Sequence, residues 1–237
     1  MFLKKLIVAL SFAVSVSHAE TASLETEHFQ VCETQPNEKI VVKYKDLISP
    51  ELDCVNIYQS RAKEISKNKL LLSSVIGHGT GFNIEKLFII RVIDDDSNMK
   101  FIKMLLRLFV RTKRKLRRYG LFKRKLRIYS LSNKEIFEQL RKRTKFEIME
   151  NRLKIIIDNK EVYNGSIKID KNHYVDYCDE YFMFNLKNEL SITTSICKKE
   201  KDVAIYPDFL GDITFKIVYE IENGDLKFSL QEPLFTK

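Results

Sequence analysis

The chain has no tryptophan and only seven glycines and four prolines in 237 residues. That scarcity excludes a collagen-like, low-complexity or linker-type chain. No apolar run reaches the ~20 residues that a membrane-spanning helix needs. No CxxC pair is present, so the close cysteine spacing of a zinc knuckle is missing and no metal is expected. GxSxG and GxxxxGK[ST] are both absent, which removes the nucleophile elbow and the phosphate loop as sources of chemistry. Four histidines, one of them at position 18, do not assemble into a Ser-His-Asp pattern. These absences lean toward a non-enzymatic protein with no catalytic residues and no cofactor.

What is present begins with an export pattern. Lys4 and Lys5 precede an apolar run from Leu6 to Val16, followed by Ser17-His18-Ala19, the layout of a signal peptide cleaved before Glu20. Residues 1–19 are therefore expected to be removed, leaving a periplasmic or secreted product with no transmembrane span. In an oxidising compartment an even number of cysteines points to disulfides. Spacing favours Cys32 with Cys54 and Cys178 with Cys197, although four cysteines allow three pairings.

Charge is distributed unevenly. Between Lys100 and Lys145 there are eighteen Lys or Arg and only Glu135 and Glu138 as acids, a net +16, whereas residues 20–99 sum to −4 and residues 146–237 to −5. A field of this kind attracts polyanions or acidic surfaces whatever the fold. Within the block a cationic heptapeptide recurs, Lys113 to Tyr119 and again Lys123 to Tyr129. The charge-bearing residues expected to bind an anion are Lys113, Arg114, Lys115, Arg117, Arg118, Lys123, Arg124, Lys125 and Arg127.

Periodicity divides the chain after the signal into a mixed α/β part (20–96), a basic helical segment (97–145) and an antiparallel β region (146–237). In the first part Lys39 to Lys45 reads as a strand, and Ser49-Pro50 as a cap and first position of a helix to about Ser66 carrying Leu52, Val55, Tyr58, Ala62 and Ile65. Leu70–Ile76 and Phe82–Ile93 read as strands joined by Gly77-His78-Gly79-Thr80-Gly81. In the block, Ile102, Leu105, Leu106, Phe109, Leu116 and Tyr119 mark an amphipathic helix from Ser97 to Gly120. Ser132 and Glu135 then form a capping box, with Leu131 and Ile136 as a hydrophobic staple, opening a second helix to about Arg143. Beyond Phe146 hairpins are expected around Asp158-Asn159, Lys187-Asn188 and Asn223-Gly224. The expected fold class is α+β, with a mostly antiparallel β carboxy-terminal region and a cationic helical segment mid-chain.

The function these features favour is binding. The basic block is expected to dock on an anionic membrane or envelope surface, or on an acidic protein; export makes nucleic acid unlikely. An inhibitor or immunity-type protein covering an exported enzyme is a second reading. A hydrolase is a third. It would use the Gly77–Gly81 turn, where backbone N–H groups could cradle an oxyanion, or the cluster of His173, Asp176, Asp179 and Glu180 beside Cys178.

Overall fold

Alternation of apolar and polar residues, not helical spacing, governs almost the whole chain. The computed structural model describes residues 23–35, 38–78, 83–94, 124–178, 182–201 and 208–237. Among them are seventeen strands and one eleven-residue helix, α1 (Asn133–Arg143). The first sheet holds β1 (Ser23–Glu25), β2 (Gln30–Gln35) and β3 (Lys39–Tyr44), with β4 (Leu47–Ile48) and β5 (Leu52–Asp53) both along the free edge of β3. The second runs β6 (Asn56–Ser66), β7 (Lys69–His78), β8 (Asn83–Asp94) and β9 (Arg124–Ser130). After α1 comes a third sheet of β10 (Thr144–Met149), β11 (Arg152–Ile157) and β12 (Lys160–Ser166). The fourth orders β13 (His173–Tyr177), β15 (Ser191–Glu200), β16 (Asp208–Glu222) and β17 (Asp225–Thr236), with β14 (Met183–Asn185) also on β15. Every pairing is antiparallel.

The second sheet is the middle layer. Leu70 and Leu72 of β7, with Phe88, Ile90 and Val92 of β8, enter one core with Val31, Ile40 and Val42 of the first sheet. Leu71, Leu87 and Ile89 point the other way, into a larger core with α1 and the third and fourth sheets. A strand buried on both faces needs an unbroken apolar run, and Leu70-Leu71-Leu72 and Leu87-Phe88-Ile89-Ile90 supply it. Tyr163 and Phe235, with ring centroids 4.4 Å apart, close the third sheet against β17.

Three expectations are overturned. The fold is β-rich, not α+β with a central helical segment: the basic block contributes edge strand β9, and α1 is its one described helix. The Ser97–Gly120 helix lies outside the described residues. A helix from Pro50 to Ser66 does not form. Cys54 and Ile57, off the helical stripe, are buried, while Tyr58 and Ile65, on it, are 85% and 45% exposed, so the core does not take the stripe as a unit. Ser49 caps a strand break instead, its Oγ accepting from the Val42 N–H at 2.8 Å while its own N–H donates to the Val42 carbonyl. Finally, Cys178–Cys197 is bonded but Cys32 and Cys54 are free and buried. Cys54 belongs to the core between the first two sheets and its Sγ meets Ser60 Oγ at 3.4 Å. Cys32 pairs with Val41 on the other face, since its neighbour Val31 takes the core position.

Other local readings stand. Ser132 is the N-cap of α1, accepting from the Glu135 N–H, and Leu131 and Ile136 are both fully buried as a staple requires. Asp158 and Asn159 have φ of 51° and 63°, and Asn223 and Gly224 of 50° and 95°, the two-residue turns of right-twisted hairpins. Gly211 admits nothing larger: its φ is +153° and a Cβ would lie 2.5 Å from the Thr236 carbonyl oxygen.

One buried carboxylate joins the middle layer to the larger core. Glu85 accepts from Arg61 Nη2 at 2.6 Å, Ser73 Oγ at 2.7 Å and the Phe184 N–H at 3.1 Å, and its own carbonyl accepts from Asn133 Nδ2 at the start of α1. Glu85→Ala orphans the Phe184 amide and the Ser73 hydroxyl, and is expected to cost about 2–4 kcal/mol in urea unfolding. For the cysteines, the mature chain unfolded without reductant should titrate two thiols, and four after reduction. A count of zero before reduction would restore the Cys32–Cys54 bridge.

Candidate functional site

The described part of the basic block is divided by its partners. At its carboxyl end three of the charges are matched by acids from the acidic flank: Arg141 Nη2 to Asp176 at 2.9 Å, Arg143 to Asp158, and Lys145 Nζ to Glu147 at 2.6 Å. Arg143 also donates to the Leu230 carbonyl at 2.6 Å. The hydrogen bond to Arg143, acting against partial burial and aided by its positive charge, holds the Asp158 carboxyl below its ordinary range. That end of the block is structural.

The amino-terminal end is different. In β9, Arg124, Lys125 and Arg127 are exposed, whereas Leu126 and Ile128 pack on the core between the first two sheets. Register places Arg127 opposite Arg91 of β8, and Arg91 opposite Lys69 of β7. Three cations therefore lie side by side across three strands. The row inward from them, Leu71, Ile89 and Tyr129, belongs to the larger core. Over the row folds the β16–β17 hairpin. The Lys69 ammonium sits 4.5 Å from the centroid of the Tyr219 ring, and Arg127 Nη1 lies 3.0 Å from where Gly224 would carry a Cβ. Tyr219, Ile221, Leu226 and Phe228 pack on the core. Glu220, Glu222 and Asp225 occupy the alternating, exposed positions of the hairpin, and Glu222 is paired with Lys227 at 2.8 Å. No ion pair joins Lys69, Arg91 or Arg127 to an acid among the described residues.

Lys113, Arg114, Lys115, Arg117, Arg118 and Lys123 lie outside the described residues, as do Gly79, Thr80, Gly81, Asp95, Asp96, Asp179 and Glu180. Gly77 and His78 end β7, opposite Ile84 and Asn83, so the glycine-rich run joins two hairpin strands. His173 and Asp176 are not brought together. Being three residues apart on one strand they take opposite faces, His173 Nδ1 meeting Asp170 at 2.6 Å and Asp176 taking Arg141. The His173 bond, reinforced by the Asn172 N–H, holds Asp170 below its ordinary value.

A cluster that the sequence does not advertise forms where the β1–β2 turn meets β6. The Glu64 carboxylate accepts from Thr26 Oγ1 at 2.8 Å and the His28 N–H at 3.0 Å through one oxygen, and meets His28 Nδ1 at 2.7 Å through the other. Glu27 stands 3.9 Å from His28 Nε2, and these three residues are the described group that could hold a cation. Glu64, however, has both oxygens committed to the turn, and Lys43 and Lys45 line the same cleft of about 330 Å3. The cluster pins the hairpin to the middle layer. Burial works against ionisation of Glu64, but the Thr26 hydroxyl and the His28 amide and ring outweigh it and hold the carboxyl below its ordinary value.

No protein-family model, curated protein or solved structure matches the chain. No helix among the described residues is long and apolar enough to cross a membrane.

Because the folded carboxyl of Glu64 titrates below the unfolded one, its stabilisation is present above the unfolded pKa of about 4.3 and is lost as pH falls through the folded value. The difference in thermal midpoint between wild type and Glu64→Gln should therefore be constant near neutrality and shrink below about pH 4. A gap unchanged into acid would remove this role for the ionised carboxylate.

Proposed function

We propose that the protein is an exported, non-enzymatic binding protein that docks on an anionic membrane or envelope surface through the amino-terminal part of its basic block. One observation carries the reading. The block is consumed by acidic partners at Arg141, Arg143 and Lys145, but at Arg127 it adds to two further cations, Lys69 and Arg91. Export is supported by the signal-like first nineteen residues and is compatible with the Cys178–Cys197 disulfide. A lipid surface is favoured over an acidic protein because β4, which approaches β9, carries Ile48, an apolar side chain that is 64% exposed. An apolar side chain can enter the headgroup layer while each nearby Lys or Arg contributes up to about 1 kcal/mol.

Vesicle flotation tests this. The mature chain should float with vesicles of phosphatidylcholine containing phosphatidylglycerol, fail to float with phosphatidylcholine alone, and detach at high salt. The triple variant Arg124→Glu, Lys125→Glu, Arg127→Glu should bind at least about tenfold more weakly. Salt-independent binding, equal binding to neutral vesicles, or none overturns the lipid reading. Salt-sensitive capture of one acidic envelope protein with no vesicle binding would replace it with the protein-partner reading.

A further inference from the structure

We infer that Lys69, Arg91 and Arg127 form a built site for a single phosphate-type oxyanion, held between the middle sheet and the inner side of the β16–β17 hairpin. The inference rests on the anionic-partner reading and names the chemical group that is recognised. Directly opposed like charges on neighbouring strands destabilise a sheet. This row has two such contacts, Lys69 with Arg91 and Arg91 with Arg127. Arg91 takes the central place and is only partly exposed.

The same face of the same sheet shows how this protein compensates a cation when the cation serves the fold. At its far end Arg61 is met by Glu85, whose carboxylate also collects Ser73 Oγ and the Phe184 amide. In the middle lie Leu71, Leu87 and Ile89. At the near end the cations recur, and among the described residues no carboxylate is paired with them. The covering hairpin could have supplied one, because Glu220, Glu222 and Asp225 are in it. Alternation instead directs Tyr219, Ile221, Leu226 and Phe228 inward and leaves the acids exposed.

The site is also shaped. The Lys69 ammonium is positioned over Tyr219, and Arg127 Nη1 comes within 3.0 Å of where Gly224 would carry a Cβ. Two guanidinium forks and an ammonium offer more donors than one carboxylate can accept, and they suit the several oxygens of a phosphate. An apolar floor beside them lowers the local dielectric and strengthens the attraction. The source of the phosphate is a lipid headgroup or free phosphate.

The test uses inorganic phosphate and the mature chain, at ionic strength held constant with chloride. Titration calorimetry should show one saturable site, and phosphate should raise the thermal midpoint. Arg91→Gln and Lys69→Met should each weaken phosphate binding by about tenfold or more. Lys142→Gln, on the exposed side of α1, should leave it unchanged. Without phosphate, Arg91→Gln and Lys69→Met should unfold at a temperature equal to or higher than wild type, because they relieve repulsion; a merely structural role predicts the reverse.

Absence of saturable binding at matched ionic strength, or equal binding by both variants, overturns the site. Phosphate binding without vesicle flotation leaves the site standing and defeats the membrane reading. Flotation without saturable phosphate binding does the opposite.

Discussion

The structure depends on a sheet that is buried on both sides. Strands β7 and β8 send alternate residues into two separate cores, so the amino-terminal sheet packs on one face while α1 and the carboxy-terminal sheets pack on the other. Such a sheet cannot bury a polar residue without partners, and Glu85 illustrates the rule: its carboxylate is surrounded by donors from β6, β7 and β14. The constraint relaxes toward the edges and ends of the strands. Arg61, Glu64, Lys69, Arg91 and Arg127 all lie there, and so does every arrangement with chemical interest.

That geography explains how the summed charge of a segment can mislead. A net of +16 between Lys100 and Lys145 suggests one continuous cationic body. In the fold the carboxyl part of the block is held by Asp176, Asp158 and Glu147, while Arg127 becomes one third of a row whose other members lie outside the block. Register, not composition, decides which charges act together.

Legibility followed the range of the interactions. The hairpins at Asp158-Asn159 and Asn223-Gly224 and the cap at Ser132 are written within a few residues, and each is found where the sequence puts it. The stretch from Pro50 to Ser66 suggests a helix because a helical stripe and a bulged strand can carry the same apolar spacing over a short window. Its pairing with the leucines of β7, which decides the matter, is a tertiary fact. Cys32 and Cys54 are near in sequence but belong to opposite faces, a distinction that spacing does not contain. The His28–Glu64 pair spans 36 residues, and the Lys69–Arg91–Arg127 row needs three strands in register. No local signal marks either, although a run of unmatched cations at strand ends is the kind of anomaly worth seeking.

The pairing of Asp94 with Arg124 has an evolutionary consequence. The end of β8 and the start of β9 face each other in the pairing, so the chain between them is closed by the sheet itself whatever its length. The entropy of closing a loop grows only with the logarithm of its length. A change in the length of sequence between the two strands therefore adds little to the cost of pairing them. The sequence between the two strands, which carries much of the chain's positive charge, can therefore change in length and charge while the double-faced sheet stays the same.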